Sequence, residues 1–158
     1  MQKVKLIEQL KINQTRKDIT AYHYDAANLI SGINYSNNLE ANYQRNILGH
    51  ITEINTWLND KKQYIAKNIQ YRGDGLLTAL TYGNGLEEIR SYDTAGRLSC
   101  IKVGVQPERC YQYDKNGNIL QQRTQHIHEY SYDSIDRLLE RNSANNNNSW
   151  QFSSDENG

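Results

Sequence analysis

The sequence predicts an all-β protein made of consecutive antiparallel β-hairpins. Three observations favour this class. Turn motifs of the form Tyr-Asp-x-x-Gly recur along most of the 158 residues. Between them lie segments of about six residues rich in Ile, Leu, Thr and Tyr, the length and composition of short strands. The aromatic residues are 12 Tyr against two Trp and one Phe, which suits half-exposed sheet faces better than a dry core.

The clearest motif spans residues 111 to 119, Tyr-Gln-Tyr-Asp-Lys-Asn-Gly-Asn-Ile. Asp114 holds the first position of a type I turn, where a carboxylate accepts backbone N–H groups. Gly117 holds the fourth position, where a left-handed residue completes a bulged hairpin. The motif therefore predicts a strand, a turn and a second strand.

Versions of this motif align on the fourth turn position, called the anchor here. The anchors fall at 28, 49, 75, 96, 117, 136 and 158, in steps of 21, 26, 21, 21, 19 and 22 residues. Asn and Asp replace Gly twice, and both tolerate left-handed backbone better than other residues. The predicted turn residues are Asp25, Asn28, Asn46, Gly49, Gly75, Asp93, Gly96, Asp114, Gly117, Asp133, Asp136, Asp155 and Gly158.

Two copies depart from the pattern. Arg72 stands where the turn acid is expected, and the copy before Gly49 lacks the preceding Tyr. The step of 26 residues is longest, and we expect its five extra residues in the hydrophilic loop Asn59-Asp60-Lys61-Lys62, because insertions favour loop tips.

Taken in order, residues 1–18 carry no turn motif. Their apolar spacing also fits a helix face, but we assign a strand, followed by a polar, loop-like stretch over residues 13–18. The repeats occupy 19–158, with a final copy that stops in its turn. The sequence predicts strands at 19–24, 29–35, 40–45, 51–57, 63–71, 76–82, 86–92, 98–105, 109–113, 119–124, 127–132, 138–142 and 150–154. Polar turn clusters separate them, including 36–38, 145–148 and the hairpin signal Gly83-Asn84-Gly85.

Tyrosines precede most turns, singly or as Tyr-x-Tyr pairs. Their equivalent places on alternate strands predict ring contacts between neighbouring repeats, with solvated sheet surface as the alternative. These repeat tyrosines are Tyr22, Tyr24, Tyr71, Tyr92, Tyr111, Tyr113, Tyr130 and Tyr132.

Composition excludes several function classes. Lys plus Arg equals Asp plus Glu at 18 each, so the chain lacks the basic excess typical of nucleic-acid binding. No apolar run approaches the roughly 20 residues of a membrane span, and no signal-peptide core follows Met1. The sequence predicts neither a nucleic-acid partner nor a membrane span.

Two motifs imitate metal sites. The segment from Asp114 begins like an EF-hand loop, but its sixth residue is Ile119 and its twelfth is Gln125, where that loop needs Gly and Glu. His126 and His128 share one face of a strand, yet no further zinc ligand is placed near them by sequence. We expect a plain turn and surface histidines, with no metal and no cofactor.

Cys100 and Cys110 flank the turn at Gln106-Pro107 and could face each other across a hairpin. A disulfide indicates an oxidising compartment, whereas two thiols fit synthesis in a reducing cytosol. We expect free thiols, because nothing else in the sequence suggests a disulfide framework. No catalytic motif is present, and the aspartates each have a turn position, so the sequence predicts no enzyme.

The repeated motifs resemble the bacterial RHS or YD-repeat family. The resemblance rests on the segments 92–98 (Tyr-Asp-Thr-Ala-Gly-Arg-Leu), 113–118 (Tyr-Asp-Lys-Asn-Gly-Asn) and 75–86, and it covers roughly 20–158. It implies an extended curved sheet, part of a spiral β-shell that encloses a toxic C-terminal segment. The implied role is structural wall material. The family's Asp-Pro-containing self-cleavage motif is absent here, since Gln106 precedes Pro107.

This resemblance also implies partners and location. The partners are the remaining repeats and the toxin cargo of a longer chain. Independently of the resemblance, an isolated piece would expose sheet edges, so we expect self-association or marginal stability. The chain would be made in the bacterial cytoplasm and then exported or held at the surface. The alternative function is a carbohydrate-binding YD-repeat module at a cell surface, in which Tyr rings stack on sugars and amides bond their hydroxyls.

Overall fold

A computed structural model describes residues 4–10, 17–35, 39–143 and 148–152, and within them the side chains from residue 20 onward except that of Asn148. Within these residues the chain is all strand and turn, so the predicted class of consecutive antiparallel hairpins is confirmed. No helix in the described part is long and apolar enough to pass through a membrane. The chain divides into two compact units, Met1–Glu87 and Glu88–Gly158.

The first unit is an antiparallel meander in which sequence neighbours pair. Its strands are β1 (Val4–Leu10), β2 (Lys17–Tyr24), β3 (Ile30–Tyr35), β4 (Glu40–Arg45), β5 (Ile51–Leu58), β6 (Lys61–Tyr71) and β7 (Leu77–Tyr82). β1 pairs with β2 from Val4 opposite His23 to Leu10 opposite Lys17. The strand expected within residues 1–18 lies at Val4–Leu10, while β2 already begins at Lys17, inside the stretch expected to be a loop.

The second unit has the same construction, again with sequence neighbours paired. Its strands are β8 (Glu87–Tyr92), β9 (Leu98–Val103), β10 (Arg109–Tyr113), β11 (Ile119–Arg123), β12 (Ile127–Tyr132), β13 (Leu138–Ser143) and β14 (Asn148–Gln151). β14 begins earlier than the predicted strand at 150–154, part of which lies outside the described residues.

The five extra residues of the long step are not in a loop, so that prediction is wrong. β5 and β6 join through Asn59 and Asp60 alone, whose φ angles are 50° and 59°. Two positive φ values are the signature of a type I′ turn, which suits the twist of antiparallel strands. The additional residues instead lengthen β6 to 11 residues and produce irregular pairing around Asn68, whose φ is 54°.

The hairpin signal at residues 83–85 forms a closed turn. Tyr82 N–H donates to the Leu86 carbonyl at 2.8 Å, and Gly85 lies at φ 85°. Gly83 approaches the β6 backbone so closely that an added Cβ would lie 1.8 Å from the Tyr64 carbonyl oxygen. Only glycine fits position 83 without moving one of these strands.

The sheets bury little. No described side chain is fully buried, and the described apolar residues below 10% exposure are Ala66, Ile69 and Cys110. Buried polar side chains include Glu88, which is 3% exposed and pairs with Arg90 at 2.5 Å. Single sheets with two open faces account for this pattern, because they lack a second layer to pack against.

Candidate functional site at the repeat turns

The motif turns lie at the same end of successive hairpins within each unit. They join β2 to β3, β4 to β5 and β6 to β7 in the first unit, and β8 to β9, β10 to β11 and β12 to β13 in the second. In a meander, every second connection returns to the same edge of the sheet. We call this row of turns the turn edge of each unit.

The anchors adopt left-handed backbone. Gly49, Gly75, Gly96 and Gly117 have φ between 79° and 98°, while Asn28 and Asp136 have φ of 61° and 64°. The strand pairing shifts by one residue just before each of these turns. This combination is the type I turn with a bulge that the motif predicts. Asp155 and Gly158 lie outside the described residues.

In five of the six described turns the side chain at the first position closes the turn, and this residue is Asp in four of them and Asn46 in the fifth. Asp114 Oδ1 accepts from the backbone N–H groups of Asn116, Gly117 and Asn118 at 2.8 to 2.9 Å. Equivalent pairs of N–H bonds reach the side-chain oxygens of Asp25, Asn46, Asp93 and Asp133. One side chain therefore satisfies several backbone donors that the turn would otherwise leave to water.

These bonds lower the pKa of turn carboxylates. Backbone and side-chain donation from Arg97 lowers the pKa of Asp93, and Arg137 does the same for Asp133. At Asp114 burial raises the pKa, but donation from the Asn118 side chain and from three N–H groups outweighs it, so the net shift is downward. These carboxylates are held in the charged form that the turn requires.

The irregular turn before Gly75 uses a different acid. Arg72 occupies the first position and pairs with Asp74 at 2.5 Å. Asp74 accepts the Leu76 N–H at 3.4 Å, and hydrogen bonding from Arg72 lowers its pKa to about 2. Asp74, two places later, thus takes over one of the N–H bonds that the missing acid would accept.

A second set of contacts joins a repeat to the one before it at four positions, two in each unit. In the second unit the Tyr113 hydroxyl donates to the Leu98 carbonyl at 2.8 Å, and the Tyr132 hydroxyl to the Ile119 carbonyl at 3.1 Å. In both cases the acceptor lies two residues after the preceding anchor. We call this bond the inter-repeat latch.

The first unit repeats the latch with one change of chemistry. The Tyr71 hydroxyl donates to the Ile51 carbonyl at 2.9 Å. In the copy that lacks tyrosine, Arg45 reaches the Ile30 carbonyl at 3.0 Å, again two residues after an anchor, and also bonds the Gly49 carbonyl. The apparent defect in the motif is therefore a substitution that keeps the bond.

In two repeats the residue after the anchor covers the tyrosine of the next repeat. The ring centroids of His50 and Tyr71 are 4.6 Å apart, and the Arg97 guanidinium lies 4.7 Å from the Tyr113 centroid. Arg97 also donates to the Asp114 carbonyl at 2.7 Å, which ties two successive turns together. Asn118 makes a comparable link to the Asp136 side chain at 2.6 Å.

All eight predicted repeat tyrosines are half-buried. Their predicted contact with neighbouring repeats is present at Tyr71 and Tyr113, but it is made with His50 and Arg97 rather than with tyrosines of those repeats. Tyr111 and Tyr113 contact each other along one strand, with centroids 6.3 Å apart. The sequence reasoning missed the latch acceptors, which are backbone carbonyls 13 to 20 residues away.

The expected pair of free thiols is wrong: Cys100 and Cys110 form a disulfide. They are directly opposite each other on β9 and β10, because the turn at Gly104 sets that register.

Two histidines, one just before β12 and one within it, form the motif that imitates half of a zinc site. His128 lies 3.3 Å from Arg141, and no described Cys, Asp or Glu completes a metal-ligand group with His126 and His128.

The fold is similar to parts of solved bacterial toxin complexes. In the crystal structure of TcdB2-TccC3-TEV the TM-score is 0.76 at 18% identity, covering 87% of this chain and 8% of that one. TcdB2-TccC3-Cdc42 gives 0.75 at 20%, covering 80% and 7%. A mutant Photorhabdus luminescens Tc holotoxin pore gives 0.73 at 21%, covering 78% and 7%.

The chain thus spans less than a tenth of the chains it matches, and the likeness is one of fold. These complexes contain an RHS/YD-repeat shell, so the resemblance found in the sequence and the structural likeness agree. Neither the protein-family models nor the curated proteins gave a match to this sequence.

Proposed function

We propose that this chain is a non-catalytic wall segment of a β-shell, which encloses a toxic C-terminal cargo belonging to a longer protein. The observation that carries the proposal is the inter-repeat latch, present at Arg45, Tyr71, Tyr113 and Tyr132. At these four positions it ties a hairpin to the preceding one without a central core. An array built this way can extend indefinitely, as repeat proteins do.

The shallow burial supports the same role. Large apolar side chains such as Leu139 and Ile89 remain 45% and 52% exposed on strands, where a compact domain would cover them. A wall that curves around a cargo has an inner face that is covered only in the closed shell. Asp25, Asp93, Asp114 and Asp133 are engaged as turn acids.

The test uses the complete natural protein and limited proteolysis. A product far longer than 158 residues should contain a segment after the repeats that resists protease while the shell is intact. Mild denaturant should expose that segment in the same range in which the repeat signal in circular dichroism is lost. A segment that is digested at the same rate with or without intact repeats would contradict encapsulation.

Matched variants connect the result to this segment. Tyr113→Phe combined with Tyr132→Phe removes two latches, and the cargo should become protease-sensitive at lower denaturant. Tyr111→Phe is the control, because it removes a tyrosine hydroxyl from the same strand without touching a latch. Equal sensitivity in both proteins would show that the latches do not hold the wall closed.

One observation favours the alternative, a carbohydrate-binding surface. Gln112, Gln121, Glu129 and Asn142 lie opposite one another across β10 to β13 and line an open depression of about 380 Å³ with Tyr130. Their amide and carboxylate groups can donate to and accept from sugar hydroxyls. The Tyr130 ring lies on the other face of the sheet, where its hydroxyl donates to the Gln122 side chain. The Tyr113 hydroxyl, in contrast, is occupied by the latch.

Saturable binding to a glycan array would support this alternative if Gln121→Ala abolishes it and Gln106→Ala, outside the depression, does not. Binding that survives Gln121→Ala, or no binding to any glycan, would leave the wall role as the better account.

A further inference from the structure

The disulfide lies in the least extensively paired hairpin described in the second unit. β9 and β10 share two residue pairs, Arg109 with Ile101 and Cys110 with Cys100, whereas β8 and β9 share five. The Cα atoms of the two cysteines are 4.1 Å apart. A cross-link between them therefore joins a pair of strands that few backbone bonds hold together.

A carboxylate accompanies the two sulfurs. Glu108 precedes β10 and is exposed, and its carboxylate oxygen lies within 4.8 Å of both sulfur atoms. Cys100 is half-buried and Cys110 is 9% exposed. The cluster is thus supported by the sheet on one side and open to solvent on the side of Glu108.

We propose that this cluster is a redox-dependent metal site. In a reducing compartment Cys100 and Cys110 are thiols, and together with Glu108 they bind one divalent cation of the zinc class. Two thiolates and a carboxylate form a ligand set that zinc accepts, with water in a fourth, open position. The cation cross-links β9 and β10 when the disulfide is absent.

The geometry permits this exchange with small movements. Ligand atoms about 2.0 to 2.3 Å from a common tetrahedral metal lie about 3.4 to 3.8 Å from one another. The sulfurs of the disulfide must move apart to reach such a separation, and rotation of two side chains on facing strands provides it. The carboxylate needs to approach by about an ångström, which its exposed position allows.

A small dithiol can serve as the reductant. Its thiolate attacks and breaks the Cys100–Cys110 bond, and the two cysteine sulfurs receive two electrons and two protons. The reductant leaves as its own cyclic disulfide. The incoming cation then displaces the two thiol protons into solvent. Reoxidation by a disulfide of the small-thiol class reverses the first step and releases the cation.

The test is titration with Co²⁺ under anaerobic conditions, after reduction and removal of the reductant. The reduced protein should take up one equivalent with a near-ultraviolet thiolate-to-cobalt band, and Zn²⁺ should displace it. The oxidised protein should show no such band. Glu108→Gln should weaken binding by about 10-fold or more, by analogy with other perturbed metal sites, whereas Glu87→Gln, another exposed glutamate, should not change it.

A double Cys100→Ser and Cys110→Ser variant addresses folding. Zn²⁺ should raise the melting temperature of the reduced protein and leave that of the double variant unchanged. The proposal is overturned if the reduced protein gives no thiolate band, if its melting temperature does not respond to Zn²⁺, or if Glu108→Gln binds as tightly as the unmodified protein. None of these outcomes bears on the wall function.

Discussion

The latch at Tyr113 predicts a specific loss of stability on removal of one oxygen atom. Tyr113→Phe deletes the hydroxyl that donates to the Leu98 carbonyl at 2.8 Å. The ring stays, so its contact with the Arg97 guanidinium at 4.7 Å is retained. A neutral hydrogen bond contributes about 0.5 to 1.5 kcal/mol net, and we expect a decrease of about 1 kcal/mol in the free energy of unfolding.

The same substitution reports the size of the unit that unfolds. A change of about 1 kcal/mol lowers Tm by about 2 to 4 °C when about 150 or more residues melt together, and by about 4 to 8 °C for a unit of about 60 to 100 residues. The second unit, Glu88–Gly158, falls in the smaller class. A Tm shift of about 2 to 4 °C per kcal/mol therefore indicates that the two units unfold together, and one of about 4 to 8 °C per kcal/mol indicates that the second unit unfolds alone.

The assay is urea denaturation followed by circular dichroism, with a thermal scan of the same samples. Tyr111→Phe is the matched control on the same strand and should shift the urea midpoint far less. Equal shifts for the two variants would refute the reasoning, because the effect would then come from tyrosine hydroxyls in general and not from the latch. A normal m-value is required for the comparison, since a changed slope indicates a changed denatured state.

The turn edge and the open sheet edges lead to four further predictions. The folded-state pKa values of the turn carboxylates are lowered, one of them to about 2, so stability should be constant above about pH 5 and fall from about pH 4 towards pH 2; a flat urea midpoint over that range would contradict this. Gly117→Ala should lower the free energy of unfolding by about 1 to 2 kcal/mol, because φ is 98° at that position, and Gly117→Asn should lower it clearly less. Gly73→Ala has open space around it and should change the free energy of unfolding by close to nothing in the same denaturation assay. Arg45→Ala should lose about 1 to 3 kcal/mol, and Arg45→Lys should recover only part of that, since one ammonium cannot reach both carbonyls as the guanidinium does. The isolated chain should self-associate through its sheet edges, seen as concentration-dependent sedimentation, and a sharp, reversible melt of a monomer at all concentrations would oppose this.

Local chemistry made the turns predictable. The acid at the first position and the left-handed residue at the fourth lie within one turn of each other, so their relation is visible in the sequence. Even the replacements Asn28 and Asp136 follow from tolerance of positive φ. The strand bounds agree closely with prediction for the same reason, because each turn limits the strands beside it.

Contacts between repeats were less predictable. The latch acceptor is a backbone carbonyl, which every residue has, so no side chain marks it. Arg45 looks like a defect in a tyrosine motif until the structure shows its bond to Ile30. The short turn at Asn59-Asp60 did have a signal, since both residue types tolerate left-handed backbone, but the hydrophilic flank favoured a longer loop.

The cysteine pair shows a third limit. Whether Cys100 and Cys110 meet depends on the register of β9 against β10, and a slip of one residue would place them on opposite faces. That register depends on the turn after Val103, where Gly104 adopts a φ of 52°. The sequence instead predicted a turn at Gln106-Pro107, two residues later. The pairing of Cys100 with Cys110 in a disulfide was therefore only the alternative to free thiols.

The latch and the turn acid together explain why tyrosine and aspartate are adjacent in this motif. Tyr113, the last residue of its strand, donates to the Leu98 carbonyl on the strand that leaves the preceding turn. Asp114, the next residue, begins the following turn and accepts the Asn118 N–H. Because the two residues are neighbours in the chain, formation of one turn also positions the bond to the previous repeat.

This coupling specifies the register of successive hairpins at the turn edge, since a slip of one residue would displace both interactions at once. The lengths of the connections agree. The six described turns of the turn edge each span five residues between their strands, namely 25–29, 46–50, 72–76, 93–97, 114–118 and 133–137. Connections at the opposite edge vary, with two residues between β5 and β6 but five between β9 and β10. The extra residues of the long step therefore extend the strands and leave the turn edge unchanged.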